Sequence, residues 1–139
     1  MTSDSKAVFA RFQDTVNSGD LEAVHQTIDE VVAPGLIFHA PVPMGGSATQ
    51  ALKQVWAGLF AAYPDIHVSM EDLFEAGDKV VARNVVTGTN TGSFRGEPPT
   101  GKHVTYNEIF IIRFAAGRIA EIWGVVDVYA QMKQLGLIS

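Results

Sequence analysis

The stretch that decides the fold reads Lys102-His-Val-Thr-Tyr-Asn-Glu-Ile-Phe-Ile-Ile-Arg-Phe114, Ala115-Ala-Gly-Arg118 and Ile119-Ala-Glu-Ile-Trp-Gly-Val-Val126. Its two long runs are rich in β-branched and aromatic residues, which favour strands. The short linker between them contains a glycine, which is typical of a tight turn. The sequence therefore predicts a β-hairpin, with Asp127 at the point where its second strand ends.

A symmetric turn predicts how the two strands pair. Phe114 then lies opposite Ile119, and further pairs follow two residues at a time. The predicted pairs are Ile112–Glu121, Phe110–Trp123, Glu108–Val125 and Tyr106–Asp127. All these side chains share one face of the hairpin. That face has apolar walls and a few converging polar groups, as a ligand pocket has.

The opposite face of the predicted hairpin is mostly apolar. Its side chains are Asn107, Ile109, Ile111, Arg113, Ile122 and Val126. A contiguous apolar face is unfavourable in water and usually marks an interaction surface. We therefore expect a subunit contact there, in a homodimer or a higher homo-oligomer.

The composition describes one domain, residues 1–139, with a sizeable core. The chain has 139 residues, of which 47% are hydrophobic, which argues against disorder. Its net charge is −5 without a basic cluster, so nucleic acid and anionic membranes are not expected partners. It has no cysteine, which excludes disulfides and thiolate chemistry. No signal-peptide core and no membrane-length apolar run is visible, which predicts a soluble cytoplasmic protein.

Hydrophobic spacing predicts three helices in the first half of the chain and strands in the second. The first predicted helix runs through Val16 and is capped by Thr2, Ser3 or Asp4. The second runs from Leu21 to about Val31 and is ended by Pro34-Gly35, and the third runs from Thr49 to Tyr63. A fourth, short helix from Val128 to Leu135 is predicted at the end of the chain. A strand Leu36–Ala40 and a mobile loop Val42–Ala48 are predicted between the second and third helices. Two further strands, Ile66–Ala76 and Lys79–Thr89, follow the third helix, and the first of them is predicted to have a bulge near Asp72–Phe74. Helices followed by a meander of strands indicate an α+β fold.

Several short motifs occur together along nearly the whole chain. They are Tyr63-Pro-Asp-Ile66, Glu75-Ala-Gly-Asp-Lys-Val80, Gly88-Thr-Asn-Thr-Gly92, Pro98-Pro-Thr-Gly101, Gly117-Arg-Ile119 and Glu121-Ile-Trp123 leading to Asp127. In this order they resemble the SnoaL-like polyketide cyclases, or ester cyclases, of the NTF2-like superfamily. The resemblance implies a cone-shaped α+β barrel, in which a curved, antiparallel or mixed sheet wraps over N-terminal helices around a deep pocket.

The resemblance also implies a chemistry and a biological setting. An aspartate matching Asp127 would act as the acid/base of a cofactor-free intramolecular aldol closure, in the biosynthesis of antibiotics or other secondary metabolites. Two positions depart from the family pattern: Asn90 and Ile122 stand where members often have histidine. Any chemistry that depends on those histidines would be missing from this chain.

Asp127 admits two interpretations. As a catalytic group it would need apolar neighbours, such as Trp123 and Phe110, to raise its pKa towards neutrality. Alternatively it caps the closing helix, which would not exclude catalysis. Tyr106, its predicted cross-strand neighbour, either donates a hydrogen bond to a developing enolate oxygen or is an ordinary strand tyrosine.

Glu108 and His39 complete the candidate site. A carboxylate that points into a barrel needs a partner, so Glu108 either forms an ion pair with Arg83 or acts as a second acid. His39 ends the first strand and either faces the ligand or is a structural or solvent-exposed group. The predicted substrate-binding residues are His39, Tyr106, Glu108, Phe110 and Trp123.

The leading hypothesis is a cofactor-free cyclase or isomerase of an aromatic or polycyclic, ketide-like molecule. The scattered histidines do not have the spacing of a zinc site, and no phosphate-binding or dinucleotide-binding motif occurs. Two alternatives stay open. One is a protein that binds such a ligand without converting it, and the other is an epoxide hydrolase that uses Glu108 and Arg83 around a water.

Overall fold

The computed structural model describes residues 4–39 and 46–139. That part of the chain contains four helices and five strands. The helices are α1 (Ser5–Asn17), α2 (Leu21–Val31), α3 (Ala48–Ala62) and α4 (Val128–Gln134). The strands are β1 (Val32–His39), β2 (His67–Ala76), β3 (Lys79–Thr89), β4 (His103–Ala115) and β5 (Arg118–Val126).

The expected α+β fold is confirmed, with one mixed sheet in the order β1-β5-β4-β3-β2. β1 and β5 run parallel, and the other neighbours are antiparallel. Among the described strands the sheet is open, with β1 and β2 as its edges. α1 packs against β2, α3 against β1 and α4 against β4. No helix in the described part of the chain is both long and apolar enough to cross a membrane.

The predicted hairpin is formed by β4 and β5. Its turn places Ala116 and Gly117 at φ values of 52° and 78°. Two successive positive φ values give the turn type whose twist matches that of the flanking strands. Phe114 pairs with Ile119, as predicted.

Beyond that first pair the predicted register is wrong. Arg113 pairs with Glu121, so Ala120 is an extra residue on β5 without a partner on β4. Ile119 and Ala120 are both buried, although neighbouring residues in a regular strand face opposite sides. This β-bulge shifts every later pair by one residue.

The bulge separates two rings that were predicted to be neighbours. Phe110 lies opposite Gly124, and Trp123 lies opposite Ile111, so the rings of Phe110 and Trp123 are on opposite faces of the sheet. The other pairs beyond the bulge are Ile112–Ile122, Ile109–Val125 and Glu108–Val126. The predicted placement of Ile122 and Val126 on the outer face is therefore wrong, because Ile122 is buried on the inner face and Val126, opposite Glu108, packs against the core.

The N-terminal helices begin and end close to the predicted residues. Asp20 caps α2 by accepting a hydrogen bond from the backbone N–H of Ala23 at 3.1 Å. Asp4 occupies the N-cap position of α1 without a side-chain capping bond. The other two predicted caps, Thr2 and Ser3, lie outside the described residues.

The segment between α2 and α3 differs from the prediction. β1 begins at Val32, directly after α2, and runs through Pro34-Gly35, the predicted end of the helix. Ala40, the predicted last residue of the strand, lies outside the described residues. An edge strand tolerates proline because one of its sides needs no hydrogen-bond donor. Most of the predicted loop Val42–Ala48 lies outside the described residues, and its described end forms a capping box between Ser47 and Gln50.

The two strands on the other side of the sheet follow the prediction closely. β3 has the predicted bounds, and β2 begins one residue later than predicted. The pairing of β2 with β3 shifts between Met70 and Asp72, which confirms a bulge at the edge of the predicted region. That shift keeps Val68 and Met70 before the bulge and Leu73 after it on the inner face, whereas Phe74 is exposed on the outer face.

Asn90, one of the two departures from the family pattern, organises the loop between β3 and β4. It is 1% exposed, and its side-chain Nδ2 donates to the carbonyl oxygens of Ala62 and Gly92 at 3.3 and 2.8 Å. Its Oδ1 accepts from the backbone N–H and the hydroxyl of Thr100, both at 2.9 Å. One side chain therefore ties the loop to itself and to the end of α3.

We expect Asn90→Ala to lower the free energy of unfolding by about 2–4 kcal/mol, because it leaves several buried backbone groups without partners. Urea unfolding followed by circular dichroism measures the change. The control is Asn107→Ala at an exposed position, which should alter stability by less than about 0.5 kcal/mol. Equal small effects of both substitutions would contradict the structural role of Asn90.

Candidate functional site

Four alternating side chains of β4 face the interior of the protein. They are Tyr106, Glu108, Phe110 and Ile112. Their cross-strand neighbours on β3 are Val86, Asn84, Ala82 and Val80. The inner face thus has an apolar half near the hairpin turn and a polar half near the start of β4.

An apolar cavity of about 70 Å³ lies between the helices and the apolar half of this face. Phe110 and Ile112 form part of its sheet wall, and Trp56 of α3 forms part of its helical wall. The other lining residues are Phe9, Phe12, Gln13, Val31, Val32, Phe38, Leu52, Val55, Ile119 and Ile122. Ile122, the second departure from the family pattern, is thus a wall residue.

The ring of Phe110 depends on the glycine opposite it. A Cβ atom added at Gly124 would lie 2.6 Å from Cδ1 of Phe110, closer than real Cβ atoms come to other atoms. Because Gly124 has no side chain, the ring of Phe110 can occupy this space. The Phe110 ring in turn limits the size of the cavity that it lines.

Glu108 is a buried carboxyl on the same face of β4 as the cavity residues Phe110 and Ile112, and it lines the open cleft at the end of the hairpin. It is 6% exposed and accepts a hydrogen bond from Nδ2 of Asn84 at 3.1 Å. The alternative ion pair with Arg83 is wrong, because Arg83 donates from Nε to Asp72 at 2.6 Å on the outer face. Among the described residues, Glu108 is thus buried beside an amide and has no cation to stabilise its negative charge.

Burial raises the pKa of Glu108 to about 7, against the opposing effect of the Asn84 hydrogen bond. The Oδ1 atom of Asn84 is buried and has no hydrogen-bond partner among the described residues. An amide can serve both states of a carboxyl, since its nitrogen donates to the ionised form and its oxygen accepts from the protonated form. The pair is therefore suited to gaining and losing a proton near neutral pH.

Tyr106 lies next to Glu108 on the same face. Its side chain is 2% exposed, and burial together with the nearby charges of Glu108 and Tyr63 raises its pKa. Its hydroxyl therefore stays protonated and keeps a hydrogen to donate. Its predicted position opposite Asp127 is wrong, because Asp127 follows the last residue of β5 and its backbone N–H bonds to the carbonyl oxygen of Asn107.

Asp127 is exposed at the start of α4. Its side chain accepts a hydrogen bond from the backbone N–H of Ala130 at 3.0 Å and so caps the helix. It lines an open cleft of about 420 Å³ at the end of the hairpin, to which Glu108 and Tyr129 also contribute. The structure thus has the capping arrangement, and the acid/base role of Asp127 stays a prediction.

His39 and Trp123 lie on the outer face, away from the cavity. Their rings stack with centroids 5.3 Å apart and planes 10° from parallel. His39 Nε2 is 2.8 Å from Oε2 of Glu121, and Nε of Arg113 donates to Oε1 of Glu121 at 3.1 Å. These two hydrogen bonds, with the His39 bond the larger effect, lower the pKa of Glu121. The predicted substrate-binding residues therefore divide between two faces, with Tyr106, Glu108 and Phe110 inside.

Sequence reasoning missed two polar residues of the interior, Asn84 and Gln13. Asn84 interrupts the alternating apolar series Val80, Ala82 and Val86 of β3, and that interruption is a signal in the sequence. Gln13 lies between Phe12 and Val16 on the buried side of α1 and lines the cavity. Within residues 4–39 and 46–139, no cluster of three histidine or acidic side chains could hold a metal ion.

Residues 6–135 match the family model described as SnoaL-like polyketide cyclase. The chain is 28% identical over 127 residues to an aklanonic acid methyl ester cyclase from Streptomyces peucetius, covering 91% of this chain and 86% of that protein. It is also 28% identical to an aklanonic acid methyl ester cyclase from Streptomyces sp. strain C5, covering 91% of this chain and 78% of the relative.

Solved structures with the same fold include IdmH from Streptomyces antibioticus, with a TM-score of 0.77 and 31% identity over 95% of this chain and 98% of that one. TsrD from Streptomyces laurentii has a TM-score of 0.84 at 23% identity over 99% of both chains. A SnoaL-like polyketide cyclase from Agrobacterium tumefaciens has a TM-score of 0.76 at 21% identity over 98% of this chain and 100% of that chain. The last two likenesses concern the fold alone.

We expect Glu108→Gln to remove a pH dependence of stability. With a pKa of about 7 when folded and 4.5 when unfolded, the folded wild type holds its proton longer, so stability falls as pH rises between these values. This pKa difference corresponds to about 3 kcal/mol. Unfolding free energies at pH 4 to 9 should fall for the wild type relative to the variant.

The matched control for this measurement is Glu97→Gln, which changes an exposed carboxyl in the same way. It should keep the wild-type slope. Parallel curves for the wild type and Glu108→Gln would mean that Glu108 titrates like an exposed carboxyl.

Proposed function

This chain belongs to the SnoaL-like polyketide cyclase family, and on that basis we propose that it is a cofactor-free cyclase or isomerase of a small ketide-like molecule. The observation that carries the proposal is Glu108, a buried carboxyl with a pKa near neutrality that lies two residues from the cavity residue Phe110 on the inner face of β4 and borders the open cleft at the end of the hairpin. Relatives named for the cyclisation of aklanonic acid methyl ester support an aromatic or polycyclic ester as the substrate.

The proposed reaction is an intramolecular aldol closure. A carboxylate removes a proton from the carbon next to a carbonyl, and the resulting enolate attacks a second carbonyl of the same molecule. A carbon–carbon bond forms, one carbonyl π bond breaks, and the new alkoxide takes up the proton. The product is an isomer of the substrate, so the step needs a base, a proton donor and a closed apolar space.

Glu108 fits the role of the base better than Asp127 does. A general base works best when its pKa is near the working pH, and burial raises the pKa of Glu108 to about 7. Asp127, the residue that the family resemblance indicates, is exposed and already serves as the cap of α4. Tyr106, whose hydroxyl stays protonated, is the proposed donor to the enolate oxygen.

Phe110 controls the approach of the substrate to the base in this proposal. It follows Glu108 on the inner face of β4 and forms part of the cavity wall. Same-face neighbours on a strand are about 7 Å apart. In this proposal a substrate displaces the ring of Phe110, which enlarges the cavity of about 70 Å³ towards the carboxyl of Glu108.

The two other functions predicted from the sequence fare differently. The epoxide hydrolase needs Glu108 and Arg83 around one water, and these side chains lie on opposite faces of the sheet. No observation favours it. The ligand-binding protein without turnover uses the same cavity, and the assay below separates it from the cyclase.

We expect Glu108→Gln to reduce the turnover of aklanonic acid methyl ester by about 10²- to 10⁴-fold, the usual contribution of a general base. Chromatography of the cyclised product measures it. Because the base must be ionised, wild-type kcat/KM should rise with pH through about 7.

Asp127→Asn is the matched comparison, since asparagine also caps a helix. It should keep turnover within about ten-fold, well short of the loss of a general base. A large loss with Asp127→Asn and none with Glu108→Gln would assign the base to Asp127. Binding of the ester without product from the wild type would make the protein a ligand carrier.

We also propose that the chain assembles through its outer face. Ile109, Ile111 and Val125 are 46%, 38% and 75% exposed on that face, and Ile37 of β1 is 48% exposed. Such a surface is suited to a second copy of the chain burying about 1,600 Å². The His39–Trp123 stack would lie within this interface.

Ile111→Glu should therefore convert a dimer or larger assembly into a monomer, because it places a charge in an apolar contact. Analytical ultracentrifugation at micromolar concentration measures the change. Gln54→Glu, which adds the same charge at an exposed position of α3, should leave the assembly intact. A monomeric wild type would refute the proposed interface.

A further inference from the structure

Asn84 is a polar side chain in an apolar series of the sheet. It is 0% exposed and lies on the inner face of β3, directly opposite Glu108 on β4. The other inward side chains of this part of β3, Val80, Ala82 and Val86, are apolar and buried. A valine would continue that series, so packing alone does not explain the amide at this position.

The hydrogen bonds of Asn84 are incomplete. Its Nδ2 donates to Oε1 of Glu108 at 3.1 Å, and its Oδ1 is a buried atom with no hydrogen-bond partner in the described part of the chain. A buried acceptor without a partner lowers stability, because it has lost its hydrogen bonds to water. The amide is therefore unfavourable for folding at its oxygen, and its nitrogen acts on Glu108 alone.

The two carboxyl oxygens of Glu108 have different surroundings. Oε1 accepts the hydrogen bond from Asn84, whereas Oε2 makes no hydrogen bond within residues 4–39 and 46–139. Oε2 is also not among the fully buried unpaired atoms of those residues, so it retains accessible surface. The carboxyl therefore has one oxygen that is held and one that is free.

We propose that Asn84 is a positioning residue for Glu108, which holds Oε1 and so presents Oε2 as the atom that takes up and returns the substrate proton. The terminal torsion of a glutamate has only a weak preference of its own, and a general base must be held within reach of the proton it removes. The proton passes from the substrate carbon to Oε2 and from Oε2 to the new alkoxide. Asn84 stays neutral throughout and exchanges no proton.

The bond from Asn84 also favours the ionised carboxylate, which a base needs. The titratable groups on the surrounding elements are Tyr106 on β4, Tyr63 at the end of α3, and Asp127, Tyr129 and Lys133 at α4. Burial keeps both Tyr106 and Tyr63 protonated by raising their pKa values. Asp127 caps α4, and Lys133 lies over the ring of Tyr129. The hydrogen bond from Asn84 therefore opposes the effect of burial on the pKa of Glu108.

This inference rests on the proposed function, yet its first test needs no turnover. Carbon NMR spectra report the carboxyl of Glu108, and nitrogen–proton spectra report the side-chain amide of Asn84. Between about pH 5 and pH 9 both signals should titrate with one midpoint near 7. An Asn84 amide signal that does not respond while Glu108 titrates would overturn the inference.

Asn84→Val and Asn84→Thr form a matched pair of the same shape, of which only threonine has a hydroxyl that can donate to Oε1. Both residues favour strands, so both variants should fold. Asn84→Val should move the Glu108 midpoint upward by about 1 to 2 pH units, the equivalent of one hydrogen bond to a charged group. Asn84→Thr should recover most of that change. Identical midpoints in the wild type and Asn84→Val would overturn the inference.

Turnover of aklanonic acid methyl ester separates positioning from a general effect on the fold. In Asn84→Val, kcat at pH 7 should fall about 5- to 50-fold because less carboxylate is ionised, and much of the loss should be regained at high pH. KM should change by less than about two-fold, since Asn84 does not touch the substrate. Val80→Ala, at a buried position of the same strand opposite Ile112, should lower the melting temperature and leave the pH profile unchanged.

The results also distinguish this inference from the proposed function. A wild type in which Glu108 and Asn84 titrate together, but which forms no cyclised ester, would refute the cyclase and leave the hold of Asn84 on Oε1 intact. A wild type that cyclises the ester with the same pH profile as Asn84→Val would refute the role of Asn84 and leave the cyclase standing.

Discussion

The extra residue in β5, Ala120, is the constraint on which the interior depends. It reverses the sides of all following residues of that strand. Ile122 then packs inside, opposite Ile112, and Trp123 turns outward to stack on His39. A regular hairpin would instead place the indole in the core and an isoleucine outside. One unpaired residue thus determines both the cavity wall and the surface of the outer face.

The interior combines two environments that are hard to hold in one small domain. The apolar half gains stability from burial of its side chains, whereas the buried Glu108 and Asn84 reduce stability when they are not fully bonded. Both environments follow from the alternation of β4, which places polar and apolar residues on one face in succession. The hydrogen bonds of Asn90 tie the loop between β3 and β4 to the end of α3. The free energy gained from burying the apolar side chains therefore offsets the cost of burying the carboxyl of Glu108 next to an apolar space.

Much of the fold could be predicted from the sequence because local hydrophobic patterns and turn residues determine it. β3 has the predicted bounds, since its alternation is regular and glycine and threonine mark its end. The register of the hairpin could not be predicted, because the position of a bulge depends on which side chains fit the core and not on strand propensity. The charges held a clue: Arg113 and Glu121 pair across the strands only if Ala120 is skipped. Of the candidate site, the inward position of Glu108 was predicted, whereas its hydrogen bond with Asn84 depends on the register between β3 and β4, which no local pattern determines.

The close contact between Phe110 and Gly124 has a consequence for how this scaffold can change over generations. The two positions share one volume, which the ring fills from β4 while β5 contributes no side chain. A larger residue at 124 is compatible with the fold only after the residue at 110 has become smaller. The two sites should therefore diversify in concert, and each order of substitution passes through a different intermediate. If the residue at position 110 becomes smaller first, it leaves a cavity that the fold tolerates. If the residue at position 124 becomes larger first, it creates a steric clash. A reactive side chain can therefore be introduced at Gly124 of β5 only after a substitution at Phe110 of β4.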